Sequence, residues 1–235
     1  MRAIVLAAGL GTRMRPLTDA RPKALVRVMG RPLIDYALDR LADAGVGSAV
    51  VNVHHFAEQL QAHLAARRQP QVIVSDERGE LLGTGGGIAK ALPLLGEAPF
   101  FLLNSDSLWL ETGDSNLARL GRAFNAGRMD ALLLLASAAA TTGYDERGDY
   151  FMSADGALRR RSGAEAAPFV YAGAAVLSPA LFKDAPGGAF PLTSLFDRAE
   201  TARRLCGLLL EGLFLHVGTP EAVAAAEKAI RRADA

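Results

Sequence analysis

The sequence predicts an α/β fold of three layers, α/β/α, around a mostly parallel mixed sheet. Three observations carry that expectation. Apolar runs of strand length alternate with helix-patterned segments through the first hundred residues, an order that requires crossover connections. The first run, AIVLAA at 3–8, is apolar at every position, as in a strand covered on both faces. The chain has 235 residues, half of them hydrophobic, enough to bury one sizeable core.

The elements follow in order. Residues 33–44 (LIDYALDRLADA) place Leu33, Ile34, Ala37, Leu38 and Leu41 at helical spacing, and Gly45 stops the helix. SAVVNV at 48–53 reads as a second strand and FAEQLQAHLAARR at 56–68 as a second helix. QVIVS at 71–75 is a third strand. A glycine-rich turn, GTGGG at 83–87, leads into a helix with Ile88, Ala91 and Leu92 on one side, and PFFLLN at 99–104 is the fourth strand. Beyond residue 130 the rhythm changes to strands: DALLLLASA, GDYFMSA, ALRRR and PFVYAGAAVLS, with Asp155-Gly156 as a hairpin turn. A short helix near 193–204 and strands near 206–217 follow. The closing amphipathic helix has Thr219 as its cap and Pro220 at its first position.

Composition excludes several function classes. Basic and acidic residues number 26 and 25, so no strongly polyanionic partner such as a nucleic acid is expected. The local balance differs: Met1 to Arg31 carries seven basic residues against one acid, Asp19, which describes a confined anion site. The single cysteine, Cys206, lies in an apolar run and reads as a buried, inert thiol. No apolar stretch has a membrane span's length, and the first run is too short for a signal peptide. A soluble, cytoplasmic protein is the expectation.

The first strand ends in AAGLGTRMRP, residues 7–16. Bare backbone followed by arginine suits a phosphate, because exposed N–H groups and guanidinium forks both bind its oxygens. A P-loop is excluded, since no Gly-Lys pair follows. The dinucleotide fingerprint fits Gly9 and Gly11 but fails at Met14, and the acid expected after the second strand is missing. An ordinary strand-to-helix loop with structural glycines is the remaining alternative.

LAAGLGTRMRP (6–16) followed by PKAL (22–25) resembles the signature of the sugar-1-phosphate nucleotidyltransferases. The resemblance continues through GTGGG (83–87), NSD (104–106), VYAG (170–173) and HVGTPE (216–221), in the family's order and over nearly the whole chain. It implies a Rossmann-like nucleotidyltransferase fold in one domain, with a nucleotide-binding half at 1–128 and a sugar-phosphate-binding half at 129–235. It also implies transfer of a nucleotidyl group from a nucleoside triphosphate, UTP favoured, to a sugar-1-phosphate. Among relatives, the short N-acetylmuramate-1-phosphate uridylyltransferases and mannose-1-phosphate guanylyltransferase-like proteins are most similar. Two other readings share the front half: a catalytically weakened nucleotide or nucleotide-sugar binder, and a phosphocholine-type cytidylyltransferase.

The site residues implied by the resemblance are specific. Leu6, Ala8, Gly9, Gly11, Thr12, Arg13 and Lys23 would bind the nucleotide from the opening segment. Gly83, Thr84, Gly85 and Gly86 would bind it from GTGGG, where a backbone without side chains can approach a flat ring. Arg13 would grip the leaving β- and γ-phosphates, and Lys23 would sit at the α-phosphate and the incoming sugar phosphate. Asp106, at the carboxyl edge of the fourth strand, would hold Mg²⁺, with Mn²⁺ as the alternative. His216 stands where the family has a second acidic ligand, and imidazole suits softer metals than Mg²⁺. Gly148, Asp149, Tyr171 and Gly173 would line the sugar pocket. The family's E-K-P stretch is absent, replaced by RRRSGAEAAP, in which Glu165 is the one acid able to stand in. Trp109 either stacks on a ring or fills the core, and His54, His55 and His63 lack the spacing of a metal site.

Overall fold

The computed structural model describes residues 1–144 and 147–233. Among them a nine-stranded sheet runs through the molecule. At its centre β1 (Ala3–Leu6) lies between β4 (Ser48–Val53) and β6 (Phe100–Asn104), parallel to both, and β5 (Gln71–Asp76) pairs in parallel with β4. Beyond β6 the pairing turns antiparallel. The long β11 (Phe169–Leu177) joins β6 to β8 (Ala131–Ser137), and β12 (Leu205–Leu209) runs parallel to β8 at that edge. A hairpin of β9 (Tyr150–Met152) and β10 (Leu158–Arg160), turning at the expected Asp155-Gly156, attaches where β11 begins.

Alternation along the strands divides the core between the sheet's two faces. Ala3 and Val5 pack with α1 (Leu33–Asp43), α2 (Ala57–Leu64) and α4 (Asn116–Ala123) through Ile34, Leu38, Leu60 and Leu120. Ile4 faces the opposite layer with α3 (Gly83–Leu95) and α5 (Thr193–Thr201) through Ile88, Leu195 and Phe196. These are the three layers predicted. A smaller cluster joins Leu33 and Met14 to α6 (Pro220–Ala233), where Thr219 Oγ1 accepts the amide of Ala222 as the expected cap. The cluster also takes in a ribbon of β2 (Arg27–Val28) and β3 (Arg31–Pro32), and a second ribbon of β7 (Ser107–Glu111) and β13 (Gly212–His216). No helix among the described residues is long and apolar enough to cross a membrane.

One element boundary differs from expectation. GTGGG is not a turn before the helix but the first turn of α3 itself. Gly85 and Gly86 donate their amides to the carbonyl of Phe190, and a Cβ on either would collide, at 2.3 Å, with the Phe190 ring or the Gly188 carbonyl. Close packing against the 188–190 segment overrides glycine's weak helix propensity. Trp109 is fully buried, with Arg40 stacked on its ring at 4.3 Å, and belongs to the core. Cys206 is buried as expected, and burial pushes its thiol pKa up, away from reactivity.

Candidate active site

Strand register builds the site. Leu6 pairs with Asn104, and the amide of Ser105 donates to the Leu6 carbonyl at 3.1 Å, so the ends of β1 and β6 are tied at the sheet's carboxyl edge. The opening loop leaves this edge after β1, and Asp106 lies in the turn that follows β6. Between them lies a cleft of about 500 Å³. It is lined by Leu6, Ala8, Gly9, Gly11, Thr12, Arg13, Lys23, Gly83, Thr84 and Asp106, all expected from the sequence. Gly85 and Gly86 do not line it; they lie buried behind Gly83 and Thr84, in the close packing described above.

Gly11 shows why the loop needs its second glycine. Its φ is +67°, in the left-handed region, and a Cβ there would stand 3.0 Å from Thr18 Cγ2 and 3.1 Å from Lys23 Cβ. The loop and the Lys23 segment are thus packed together, with Thr18 Oγ1 donating to the Gly11 carbonyl at 2.8 Å. Pro22, in extended conformation, starts the short 3₁₀ turn Lys23–Leu25 that carries the lysine. Lys23 Nζ lies 2.5 Å from Asp106 Oδ2, with the two side chains 16% and 24% exposed. Both charges are therefore partly desolvated and both border the cleft. Arg13 is exposed at the same cleft and makes no ion pair with any described residue.

Two buried residues beneath the loop escaped the sequence reading. Asn52 Oδ1 accepts the Ala7 amide at 2.7 Å, and Asn52 Nδ2 donates to Glu77 Oε1 at 2.7 Å. Glu77 Oε2 in turn accepts the Leu82 amide at 3.4 Å, at the start of α3. Asn52 is 2% exposed and Glu77 1%, so this pair braces both walls of the cleft from inside the protein. A signal was present: Asn52 is the one polar residue among the buried positions of SAVVNV.

A second cavity of about 410 Å³ adjoins the first and shares Leu6, Thr84 and Asn104 with it. Asp149 and Tyr171 line it as expected, joined by Arg160, Arg161, Thr193 and Phe196. Asp149 Oδ2 accepts the Tyr171 amide at 2.9 Å, and the Tyr171 hydroxyl oxygen is buried with no hydrogen-bond partner among the described residues. Burial pushes the Tyr171 hydroxyl pKa up, so it stays a proton donor. Gly148 and Gly173 do not line this cavity. Gly148 presents its carbonyl to Arg161, and Gly173 sits in the bulge between Tyr171 and Ala175. Glu165 is turned away as well. Hydrogen bonds from Arg159, and then from the Ser162 amide, hold its carboxyl pKa down to about 2.

For a metal, Asp106 offers a hard carboxylate oxygen bordering the cleft, which fits a hard divalent cation that completes its shell with phosphate and water oxygens. No group of three or more His, Cys, Asp or Glu able to hold a metal occurs among the described residues. His216 pairs in register with Ser107, next to Asp106 in the chain. Its ring packs against Gly218 and meets the Tyr144 and Phe214 rings edge-on, and it lines neither cavity. His54 and His63 are occupied structurally, by the Glu77 carbonyl and by Asp35.

Residues 3–180 match the model of the MobA-like NTP transferase domain. The chain belongs to this family. It is an NTP transferase, and the resemblance carried by its opening motif is borne out. It is 49% identical over 235 residues to the N-acetylmuramate alpha-1-phosphate uridylyltransferase of Caulobacter vibrioides, covering 98% of this chain and 97% of that protein. It is also 38% identical over 109 residues to the mannose-1-phosphate guanylyltransferase catalytic subunit beta of Drosophila melanogaster, which covers 45% of this chain and 30% of that one. Among solved structures, UDP-glucose pyrophosphorylase complexed with UDP-glucose superposes with a TM-score of 0.79 over 99% of this chain and 98% of that chain. At 17% identity that similarity establishes the shared fold.

Proposed function

We propose that this NTP transferase is a uridylyltransferase that joins UTP to N-acetylmuramate 1-phosphate, giving the UDP-sugar and pyrophosphate. The observation that carries the reaction is the Lys23–Asp106 pair, 2.5 Å apart at one cleft that continues into a second cavity. An oxygen of the sugar phosphate attacks the α-phosphorus of UTP, a new P–O bond forms, and the bond to the β-phosphate oxygen breaks. Two anions must meet for this, so the work of the protein is positioning and charge neutralisation.

In this reading the first cavity takes the nucleotide and the second the sugar, which divides the labour between residues 1–128 and 129–235. Lys23 stands between the α-phosphate and the incoming sugar phosphate, where its point charge meets the developing negative charge. Arg13, exposed and without an ion pair to any described residue, takes the β- and γ-phosphates in its fork. Ala8, Gly9, Gly83 and Thr84 flank the base. Asp149 accepts a sugar hydroxyl, and Tyr171 has a hydroxyl to donate. Asp106 would hold a divalent metal, Mg²⁺ in our reading, which would supply charge neutralisation to the phosphates. A cytoplasmic location follows from the need for a nucleoside triphosphate pool. The likeness to the Caulobacter vibrioides protein over nearly the full chain supports both uracil and N-acetylmuramate.

The test is pyrophosphate release from each nucleoside triphosphate against a panel of sugar-1-phosphates, with Mg²⁺, Mn²⁺ or no metal. Turnover is expected with UTP and N-acetylmuramate 1-phosphate. Nucleotide binding without turnover on any sugar-1-phosphate would overturn the reading in favour of a binding protein.

A further inference from the structure

Residues 159–161 are three consecutive arginines with three different fates. Arg159 pairs with Glu165 at 2.9 Å and lies over the Phe151 ring at 4.1 Å. Arg160 pairs with Asp197 at 3.0 Å. Arg161 has no carboxylate partner among the described residues. Its Nε donates to the Gly148 carbonyl at 2.6 Å and its Nη1 to the Gly163 carbonyl at 3.1 Å. Its own amide is tied to the Asp149 carbonyl at 2.8 Å. Backbone carbonyls therefore fix the orientation of the guanidinium beside the second cavity, with no ion pair to any described carboxylate.

A guanidinium held in place by carbonyls at a ligand cavity, without an ion pair among the described residues, is preorganised for an anion. The sugar's phosphate is not that anion. To react it must lie with Lys23 and Asp106, which line the first cavity, and Arg161 does not line that cavity. Of the two cavities, Arg161 borders the far one, where the proposed reading places the sugar ring. The anion it meets is thus a second negative group, carried on the ring itself.

We infer that Arg161 forms a carboxylate subsite that selects an acidic sugar-1-phosphate over its neutral counterpart. This rests on the function proposed above and adds to it the residue that reads the sugar. N-acetylmuramate bears such a carboxylate on its lactyl ether, and N-acetylglucosamine is the same ring without it.

The experiment compares kcat/KM for three sugar-1-phosphates, those of N-acetylmuramate, N-acetylglucosamine and glucuronate, in the wild type and in Arg161→Met. The methyl ester of N-acetylmuramate 1-phosphate is run on the wild type alone, so that one arm needs no folded variant. A charged hydrogen bond of this kind predicts a loss of roughly 10- to 100-fold for N-acetylmuramate 1-phosphate in Arg161→Met. The same loss is expected for the ester on the wild type. The N-acetylglucosamine substrate and the KM for UTP should be unmoved. Equal losses on the acidic and neutral sugars, or an ester used as well as the free acid, would overturn the subsite and leave the proposed function standing. A preference for glucuronate 1-phosphate would keep the subsite and overturn the choice of sugar. No turnover on any of the three would overturn the proposed function itself.

Discussion

Asn52 on β4 and Glu77 just past the end of the neighbouring β5, 25 residues apart in sequence, share a buried hydrogen bond of 2.7 Å that ties the opening loop to the start of α3. The loop carries Ala8 and Gly9, and α3 begins with Gly83 and Thr84, so one pair of side chains sets the separation of the two cleft walls. A brace with this polarity makes a prediction that simple packing does not.

Asn52→Asp would face one buried carboxylate with another, and Glu77→Gln would turn an amide donor toward the Leu82 amide. Each single variant should lose about 2–3 kcal/mol of stability in urea unfolding, the cost of an unsatisfied buried polar group. Each should raise the KM for the nucleoside triphosphate more than that for the sugar phosphate. The double variant reverses the polarity of the pair. Its carboxylate at position 52 can accept from the Ala7 amide and from the new side-chain amide at position 77, whose oxygen can accept from Leu82. It should recover most of both losses. A double variant no better than the singles would show that the pair is not a hydrogen-bonded brace.

Arg13 separates binding from stability. It is exposed and makes no ion pair with a described residue, so Arg13→Met should change unfolding free energy by less than about 0.5 kcal/mol. Its proposed contact is with the β- and γ-phosphates. The KM for the triphosphate should rise roughly 10- to 100-fold, while the affinity for the nucleoside monophosphate stays unchanged. Calorimetry with UTP and UMP reads the difference directly.

Gly11→Ala would place a Cβ 3.1 Å from Lys23 Cβ, in a left-handed backbone conformation. The strain should cost about 1–2 kcal/mol, read as a lowered Tm. Displacement of Lys23 should also lower kcat, whereas Gly9→Ala, whose Cβ would meet nothing within 4 Å, should fold normally.

Chelation should stop turnover without unfolding the protein. No cluster of three or more metal-binding side chains exists among the described residues, so a metal at Asp106 serves the substrates and not the fold. EDTA should abolish pyrophosphate release and leave the Tm unaltered, and added Mg²⁺ should restore activity. A Tm lowered by EDTA would contradict this.

The site divides by how far apart in sequence its partners lie. Gly9, Gly11, Arg13 and Lys23 occupy one continuous motif, and Asp106 follows a clear apolar strand, so both could be found by reading along the chain. The Asn52–Glu77 brace and the bond from Arg161 to the Gly148 carbonyl depend on which segments become neighbours, and no local pattern encodes that. The ribbon of β2 and β3, the strand β7 and the helix α4 all escape the sequence reading, because each is short. The five residues of β7 begin immediately after the turn bearing Asp106, and α4 is only eight residues long. The start of α3 is displaced from expectation because glycine's propensity argues for a turn, and contact with Phe190, more than a hundred residues away, outweighs it.

The most direct measurement is pyrophosphate release from UTP and N-acetylmuramate 1-phosphate by the wild type and by Asp106→Asn, side by side in Mg²⁺. Placing Asp106 and Lys23 at the reacting phosphates predicts wild-type turnover and a fall of about 10²–10³ in kcat for the variant, as for loss of a preorganised electrostatic group. UTP should still bind the variant through the first cavity. Turnover by Asp106→Asn at the wild-type rate would contradict it and move the reaction centre away from the Lys23–Asp106 pair.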